Sequence, residues 1–173
     1  MKQTPDAART ARYEEMTRLY APVIAKVCYL FAGPGAGFDD LYQETLLNLW
    51  VGMDSFRGDA AVSTWIYRMA INTCITWHRR NDHHSRSSVS AEEAFGLSDP
   101  DGDAAQQTER LEELRMLHEL IAGLNPIDKA IITLWLDERP YDEIAAVTGI
   151  SKSSVAVKIH RIKARLVEKG KNL

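Results

Sequence analysis

Apolar side chains recur along most of this 173-residue chain at spacings of three and four residues, and runs of alternating apolar and polar residues are nearly absent. The first spacing is that of a helix with one buried face, whereas alternation would indicate a half-buried strand. The pattern therefore predicts an all-α protein with about eight helices. The clearest are expected at Tyr13 to Phe31, Asp40 to Met53, Ser63 to Arg80 and Pro126 to Leu136.

Turn and capping residues mark the ends of these helices. The glycine-rich stretch 33–37 (GPGAG) is expected to end the first helix. Asp39 or Asp40 is expected to cap the second helix, and Asp40 with Gln43 has the spacing of a capping box. Asn125 precedes a proline, which is a good signal for the start of a helix.

The composition changes after the third predicted helix. Between Ser87 and Glu113 the chain holds eight acidic residues and one arginine, among many Ser, Gly and Ala residues. Such a polar and acidic stretch is typical of a linker, because it lacks the apolar surface that folding requires. We therefore predict two helical domains, residues 1–84 and 109–173, joined by a flexible acidic linker at residues 85–108.

The stretch from Tyr141 to Leu166 has the pattern of a helix-turn-helix. Ala145 is small enough for a second helix to cross closely, Gly149 suits a turn with positive φ, and Ser151 can cap the next helix. Apolar residues then recur at helical spacing: Val155, Ile159, Ile162 and Leu166. The second helix of this motif lies in the DNA major groove, so the stretch predicts DNA binding. The alternative is a plain helical hairpin with a solvated basic face.

Charge favours DNA binding. Residues 151–173 carry seven cations and one acid, although the net charge of the whole chain is −3. A basic segment on an acidic protein indicates a local site for phosphate rather than general adhesion to other molecules.

Other classes of protein find little support in the sequence. No apolar run approaches the ~20 residues of a membrane span, and the first residues lack the apolar core of a signal peptide, so we expect a cytoplasmic protein without membrane insertion. Cys28 and Cys74 are expected as buried free thiols. Cys74 and His78 are four residues apart, but a tetrahedral ligand set is incomplete. No catalytic set or cofactor motif is present, so we expect no enzyme, metal or cofactor.

Three segments follow one another in a distinctive order: DDLYQETLLNLW (39–50), an aromatic and cationic stretch (56–80) and the segment 124–166 that contains the helix-turn-helix. Together they resemble the extracytoplasmic-function (ECF) sigma factors, which are minimal initiation subunits of bacterial RNA polymerase. In that family the first segment binds core polymerase, the second melts the promoter, and the third is region four. The linker lies between the second and third segments, as it does in the family.

The resemblance implies that the first domain binds core polymerase and the −10 element. Polar residues of the first segment would dock on the clamp helices of the largest polymerase subunit: Asp40, Gln43, Glu44 and Asn48. The loop after Phe56 would capture a flipped base, and a set of nearby residues would contact the −10 element: Arg57, Ser63, Trp65, Arg68, Asn72, Arg79 and Arg80. Trp65, Tyr67 and Trp77 offer faces for stacking of unpaired bases, although Trp65 and Tyr67 also fit a core.

The resemblance also implies a role for the second domain. The recognition helix would contact the −35 element through residues in its first four turns: Lys152, Ser153, Ser154, Lys158, Arg161 and Arg165. Arg161 can form two hydrogen bonds with guanine, and Lys158 can do so less rigidly. The implied partners are promoter DNA, the clamp helices and second-largest-subunit flap of core polymerase, and an anti-sigma factor that holds the free protein.

Two other functions stay open from the residues alone. A conventional helix-turn-helix regulator would have an N-terminal sensing or dimerisation domain, and a helical interaction protein would bind RNA through its basic tail. Neither explains why an acidic helix is followed by an aromatic and cationic segment. The acidic linker also has two interpretations, a mimic of RNA near the exit path of the polymerase and a solubilising tether.

Overall fold

Seven α-helices make up most of the structure, a computed structural model that describes residues 5–33, 37–81 and 104–171. These ranges also contain one turn of 3-10 helix, Met53–Ser55, and no strand, so the all-α prediction is confirmed. The α-helices are α1 (Pro5–Ala32), α2 (Phe38–Gly52), α3 (Val62–Asn81), α4 (Ala104–Ile121), α5 (Pro126–Leu136), α6 (Tyr141–Thr148) and α7 (Lys152–Gly170). Of the helices described, none is both long enough and apolar enough to cross a bilayer.

Helix α4 begins inside the segment that the composition assigns to the linker. Residues 82–103, which include most of the predicted linker at 85–108, lie outside the described residues. The last five residues of that predicted linker, 104–108, are the first turn of α4. They read AAQQT, and alanine and glutamine are good helix formers, so local propensity starts the helix earlier than the acidic composition indicates.

Helices α1, α2 and α3 pack against one another and form the first domain. The inner face of α2 is buried through Leu41, Thr45 and Leu49, and Met53 continues this buried row in the 3-10 turn that follows. Cys28 and Cys74 are free and fully buried, as predicted, and Cys28 Sγ lies 3.5 Å from Thr45 Oγ1. Burial raises the pKa of the Cys74 thiol well above its ordinary value, so this side chain stays neutral in the core.

The start of α2 does not contain the predicted capping box. The helix begins at Phe38 after an N-cap at Gly37, and no side chain caps it, so neither Asp39 nor Asp40 has the predicted role. Phe38, the first residue of α2, is buried in the core of the domain. Gly37 has a φ of 130°, and a Cβ there would lie 2.6 Å from the Trp77 ring. Close packing against Trp77 therefore sets the start of α2, because only glycine fits at this position.

Helices α4 to α7 form the second domain, and its local signals in the sequence are confirmed. Asn125 caps α5 by accepting a hydrogen bond from the Asp128 amide at 2.9 Å. Gly149 ends α6 with a φ of 75°, and the Ser151 hydroxyl accepts a hydrogen bond from the Ser154 amide at 3.2 Å. Helix α7 packs on α5 and α6 through its predicted apolar face: Val155, Ile159 and Ile162. The helix-turn-helix is therefore formed by α6 and α7.

The two domains pack directly against each other. Helix α3 contacts α5 and α6, and α1 contacts α4 and α5. Where α1 meets α4, Gly33 lies so close to His118 that a Cβ at this glycine would be 2.7 Å from Nε2. Burial and the nearby Lys129 ammonium lower the pKa of His118, so the ring is neutral at neutral pH between the two domains.

Gly149→Ala is expected to destabilise the protein by about 1 kcal/mol, because alanine disfavours the left-handed conformation of the turn. A Cβ at Gly149 would meet no atom within 4 Å, so steric contact would not contribute to this loss. Gly123→Ala is the matched control, since a Cβ there also meets open space and Gly123 does not have a positive φ. Urea unfolding measures both variants, and equal stability would contradict the assigned role of Gly149.

Candidate nucleic-acid interface

Helix α7 presents a basic face to solvent. The helical period places four of the predicted DNA contacts on one face: Ser154, Lys158, Arg161 and Arg165. Lys158 is half-buried and the other three are exposed. The apolar side chains of α7 lie on the other side, against α5 and α6, so the packing of the second domain fixes which face is available to a ligand.

The N-terminus of α7 adds polar groups beside this face. The hydroxyls of Ser153 and Ser154 lie 3.1 and 2.8 Å from Ser151 Oγ. Lys152 pairs with Asp142 at 2.9 Å, but the two side chains are 61% and 74% exposed, so the ion pair is weak and competes little with phosphate. Because a helix N-terminus also attracts anions, this end of α7 suits the DNA backbone.

Lys158 is less available to DNA than the sequence predicts. Its ammonium lies 2.7 Å from Asp128 Oδ1, and the Asp128 side chain is only 12% exposed. The Asn125 side-chain amide donates to the other Asp128 oxygen at 2.8 Å, so one carboxylate joins the cap of α5 to α7. Arg161, by contrast, is exposed and has no hydrogen bond or ion pair within the described residues. Arg161 and Arg165 are therefore the two cations of this face that no acid holds within the described residues.

Of the aromatic residues of α3, Tyr67 is buried, whereas Trp65 and Trp77 are half-buried. Tyr67 is 2% exposed, so of its two interpretations, a face for base stacking and a core residue, the structure supports the core residue. The second domain covers it: the Tyr67 hydroxyl donates to Asp137 Oδ2 at 2.5 Å, and the Arg139 guanidinium lies 4.7 Å from the ring centroid. Trp65 is half-buried against Phe56, with ring centroids 5.4 Å apart.

The polar residues predicted to contact the −10 element fall into two groups. Arg57, Asn72 and Arg79 are exposed and make no hydrogen bond or ion pair within the described residues. Ser63 is half-buried. The other two bind within the chain. Arg80 pairs with Glu44 of α2, and Arg68 donates to the Ala146 carbonyl of α6 at 2.8 Å. The structure therefore leaves the C-terminal half of α3 open and covers its N-terminal half with α6.

A cavity of 230 Å³ lies beside the loop that carries Arg57. Phe56 lines it from the loop and Val62 from the start of α3, while Leu19, which is 59% exposed, lines it from α1. The Arg12 guanidinium lies 5.6 Å from the centre of the Phe56 ring. No spacing in the sequence indicates this cavity, because its two sides are far apart along the chain.

The four predicted polymerase contacts lie on the outer surface of α2: Asp40, Gln43, Glu44 and Asn48. The first two are exposed. Glu44 holds Arg80, and the Asn48 side-chain amide donates to Thr73 Oγ1 at 3.0 Å. Helix α3 therefore positions two of the four side chains.

Two apolar residues of α2, Leu47 and Val51, extend this surface. They are 59% and 66% exposed and lie one helical turn apart. Val51 also borders a shallow cavity of 280 Å³ between α2 and α3, with Met69 on its other side. A contiguous exposed apolar patch with a polar rim is typical of a protein interface, and Leu47 and Val51 are neighbours on this face. The sequence did not indicate them, because single apolar residues on a polar helix face are common on any protein surface.

Known proteins match both halves of the chain. The family described as Sigma-70 region 2 matches residues 16–84, and the family described as Sigma-70, region 4 matches residues 114–166. The chain is 33% identical over 131 residues to RNA polymerase sigma factor YlaC of Bacillus subtilis (strain 168), with 73% of each chain covered. It is 32% identical over 145 residues to the ECF RNA polymerase sigma-E factor of Escherichia coli (strain K12), with 79% of this chain and 75% of that protein covered.

Two solved structures share the fold. The structure of CnrH in complex with the cytosolic domain of CnrY matches with a TM-score of 0.65 at 20% identity, and covers 94% of this chain and 90% of that one. The sigma factor RpoE in complex with the anti-sigma factor NepR from Bartonella quintana matches with a TM-score of 0.66 at 16% identity, and covers 92% and 97%. Both alignments span both domains, so the likeness is to the two-domain fold.

The different surroundings of Lys158 and Arg161 predict different effects on stability. Lys158→Ala is expected to lower the free energy of unfolding by about 1 kcal/mol, because it removes the cation that faces the largely buried Asp128 carboxylate. Arg161→Ala is expected to change this free energy by less than about 0.5 kcal/mol. Thermal unfolding of the two variants makes the comparison. A Lys158→Ala protein as stable as the unmodified chain would show that the ion pair does not fasten α7 to α5.

Proposed function

Because this chain belongs to the extracytoplasmic-function (ECF) RNA polymerase sigma factors, we propose a division of promoter recognition between its two domains. The first domain docks on core polymerase through α2 and contacts the −10 element through α3. The second domain contacts the −35 element through α7. The chain catalyses no reaction itself, since the polymerase supplies the chemistry. The observation that supports this division is the exposed basic face of α7, in the same chain as the polar and apolar surface of α2.

The alternative functions lack comparable support. A conventional regulator would place a sensing or dimerisation domain where this chain matches Sigma-70 region 2. A helical protein with an RNA-binding tail would not need that domain either. Both alternatives explain the basic helix and leave the first domain without a role.

For core polymerase, the proposed docking surface is the outer face of α2. Its polar residues set register and association rate against the charged clamp helices of the largest subunit: Asp40, Gln43, Glu44 and Asn48. Leu47 and Val51 add the apolar area that a stable interface contains at its centre. The second domain is proposed to bind the flap of the second-largest subunit.

For the −10 element, the proposed path follows the loop after Phe56 and then α3. Cations along this path neutralise phosphates, and polar residues between them contact bases or sugars: Arg57, Ser63, Arg68, Asn72, Arg79 and Arg80. Trp65 and Phe56 form an apolar wall beside the loop. Flipping a base out of the stack costs a few kcal/mol, and the cavity beside Phe56 offers apolar surface against which an unstacked base can pack.

For the −35 element, the proposed reading surface is the exposed face of α7. Arg161 is the proposed base contact, because it is exposed and a guanidinium can bind guanine through two hydrogen bonds. Lys152, Ser153 and Ser154 are proposed to hold phosphate at the helix N-terminus, and Arg165 to hold it further along. Lys158 reaches DNA only after it leaves Asp128.

An anti-sigma factor is a further proposed partner. Both similar structures are complexes with a second protein, which for RpoE is an anti-sigma factor. The fold shared over nearly the whole chain supports the proposal that this protein binds such a factor too. Its proposed place of action is the cytoplasm, where the polymerase transcribes.

Arg161→Ala is expected to reduce run-off transcription from a cognate promoter by roughly tenfold, since a bidentate contact with guanine accounts for about 1–3 kcal/mol of discrimination. Cognate promoters are first identified by run-off transcription from genomic fragments with reconstituted holoenzyme. Arg18→Ala on α1 is the matched control, because Arg18 is also exposed and has no hydrogen bond or ion pair in the described residues. Equal transcription by the two variants would remove Arg161 from the −35 contact.

Charge reversal on α2, Asp40→Lys with Glu44→Lys, is expected to weaken binding to core polymerase by at least roughly tenfold, because it removes the acidic groups proposed to complement the charged clamp helices. Fluorescence titration with core polymerase measures the affinity. The matched control is Glu112→Lys with Glu113→Lys, which makes the same change of charge on exposed residues of α4. An affinity that falls equally in both pairs would assign the effect to net charge and not to the α2 surface.

A further inference from the structure

A valine is exposed in the first half of helix α7. Val157 is 50% exposed, and Ser153 one turn before it and Arg161 one turn after it are exposed polar residues. Valine forms helices less readily than alanine, because its branched side chain loses rotational freedom against the preceding turn. A side chain that stays half exposed recovers little of this loss through burial. The stability of the second domain therefore does not account for the valine at this position.

Val157 lies on the side of α7 that is opposite to the core of the domain. The buried residues Val155, Ile159 and Ile162 attach α7 to α5 and α6. With 3.6 residues per turn, Val157 is about 170° around the helix axis from the middle of this buried row. The packing of the domain therefore turns the Val157 side chain outward.

A helix that enters the major groove brings the side opposite to its packing face nearest to the base edges. An α-helix with its side chains is about 10–12 Å across and the major groove is about 12 Å wide, so the flanks of the helix meet the sugar-phosphate walls. The helical period places Lys158 on one flank and His160 on the other. Val157 and Arg161 lie between these flanks and are therefore the side chains that reach deepest into the groove.

The chemistry of valine restricts the base that it can favour. Its side chain has no hydrogen-bond donor or acceptor, and the apolar group that base pairs present in the major groove is the C5 methyl of thymine. Contact with an amino group or a keto oxygen would instead bury a polar group without a partner, which is unfavourable. Val157 is therefore suited to a thymine methyl and to no other base edge.

The distance between Val157 and Arg161 relates the thymine to a guanine. Residues four apart on a helix have Cβ atoms about 5–6 Å apart, whereas stacked base pairs are about 3.4 Å apart. The bases that the two side chains meet are therefore about one or two base pairs from each other. Arg161 is the proposed guanine contact, so the spacing describes a thymine next to, or one base pair removed from, that guanine.

We propose that Val157 selects a thymine of the −35 element, on either strand, at this spacing from the guanine that Arg161 contacts. The proposal rests on the proposed function, because it requires α7 to lie in the major groove at the −35 element. It adds to the charged and hydroxyl-bearing contacts of α7 a residue that selects a base through apolar contact alone.

Transcription from chemically modified templates tests this proposal. Each thymine of the −35 element is replaced in turn by uracil, which removes only the C5 methyl, and each guanine by 7-deazaguanine, which removes only the N7 acceptor. Reconstituted holoenzyme at subsaturating concentration transcribes these templates. Val157→Ser is the test variant, since serine and valine have similar helix propensities. Val167→Ser is the matched control, because Val167 is another exposed valine of α7, 61% exposed and roughly 15 Å further along the helix.

One replacement of thymine by uracil is expected to lower the rate of transcription by about fourfold with the unmodified chain and with Val167→Ser, since burial of one methyl group contributes about this factor to affinity. Val157→Ser should transcribe both templates at equal rates. Arg161→Ala should keep the thymine effect and lose the effect of 7-deazaguanine at the neighbouring guanine. If circular dichroism shows that Val157→Ser does not fold, Val157→Ala replaces it and should give a smaller thymine effect than the unmodified chain.

The outcomes separate this proposal from the proposed function. If scrambling the −35 element lowers transcription, but no thymine methyl distinguishes the unmodified chain from Val157→Ser, the Val157 contact is overturned and the −35 role of α7 stands. A sensitive thymine outside the expected spacing from the guanine, or an equal loss of the thymine effect in Val167→Ser, would also overturn it. If scrambling has no effect on transcription, the −35 role fails and the Val157 contact fails with it.

Discussion

Helix α3 packs against four helices at once, and the rest of the structure depends on how its surface is divided among those helices and solvent. Its apolar side packs against α1 and α2 through fully buried residues such as Ile66 and Ile71. Its N-terminal half binds α5 and α6 through polar groups centred on Tyr67. Only the C-terminal half, with Asn72 and Arg79, remains exposed. Each residue of a helix points in one direction, so more contact with one neighbour means less for another.

The second domain fixes the position of the basic helix α7 and leaves the basic face of that helix exposed. Helix α5 is buried along most of its length and includes two charged residues, Asp128 and Lys129. Asp128 is neutralised by a cation of α7 and by the amide that caps α5. Burial lowers the pKa of Lys129. The position of α7 is thus set by a buried helix with polar attachment points, which orients the exposed face before any DNA is present.

Features that depend on neighbours in the sequence were predictable, and features that depend on distant residues were not. The buried face of α2, the cap at Asn125 and the turn at Gly149 follow from local periodicity and backbone preference. The predicted capping box failed because Gly37 packs against Trp77, forty residues further along the chain. The two interpretations of Tyr67, base stacking and core, stayed open because spacing shows which face of α3 it occupies, but not that a second domain covers that face. The same limit applies to the apolar residues Leu47 and Val51, whose exposure depends on which faces the other helices bury.

The ion pair between Lys158 and Asp128 has a consequence for evolution. A position on the recognition helix that meets DNA is usually free to change when the target sequence changes, but position 158 also completes the packing of α5. A new side chain there would leave a largely buried carboxylate without its cation unless position 128 changed as well. If Lys158 contacts the promoter as proposed, promoter preference at this position is inherited as a pair of residues on two helices. Substitution of one residue of the pair alone is selected against because it destabilises the domain, independently of any DNA that the helix contacts.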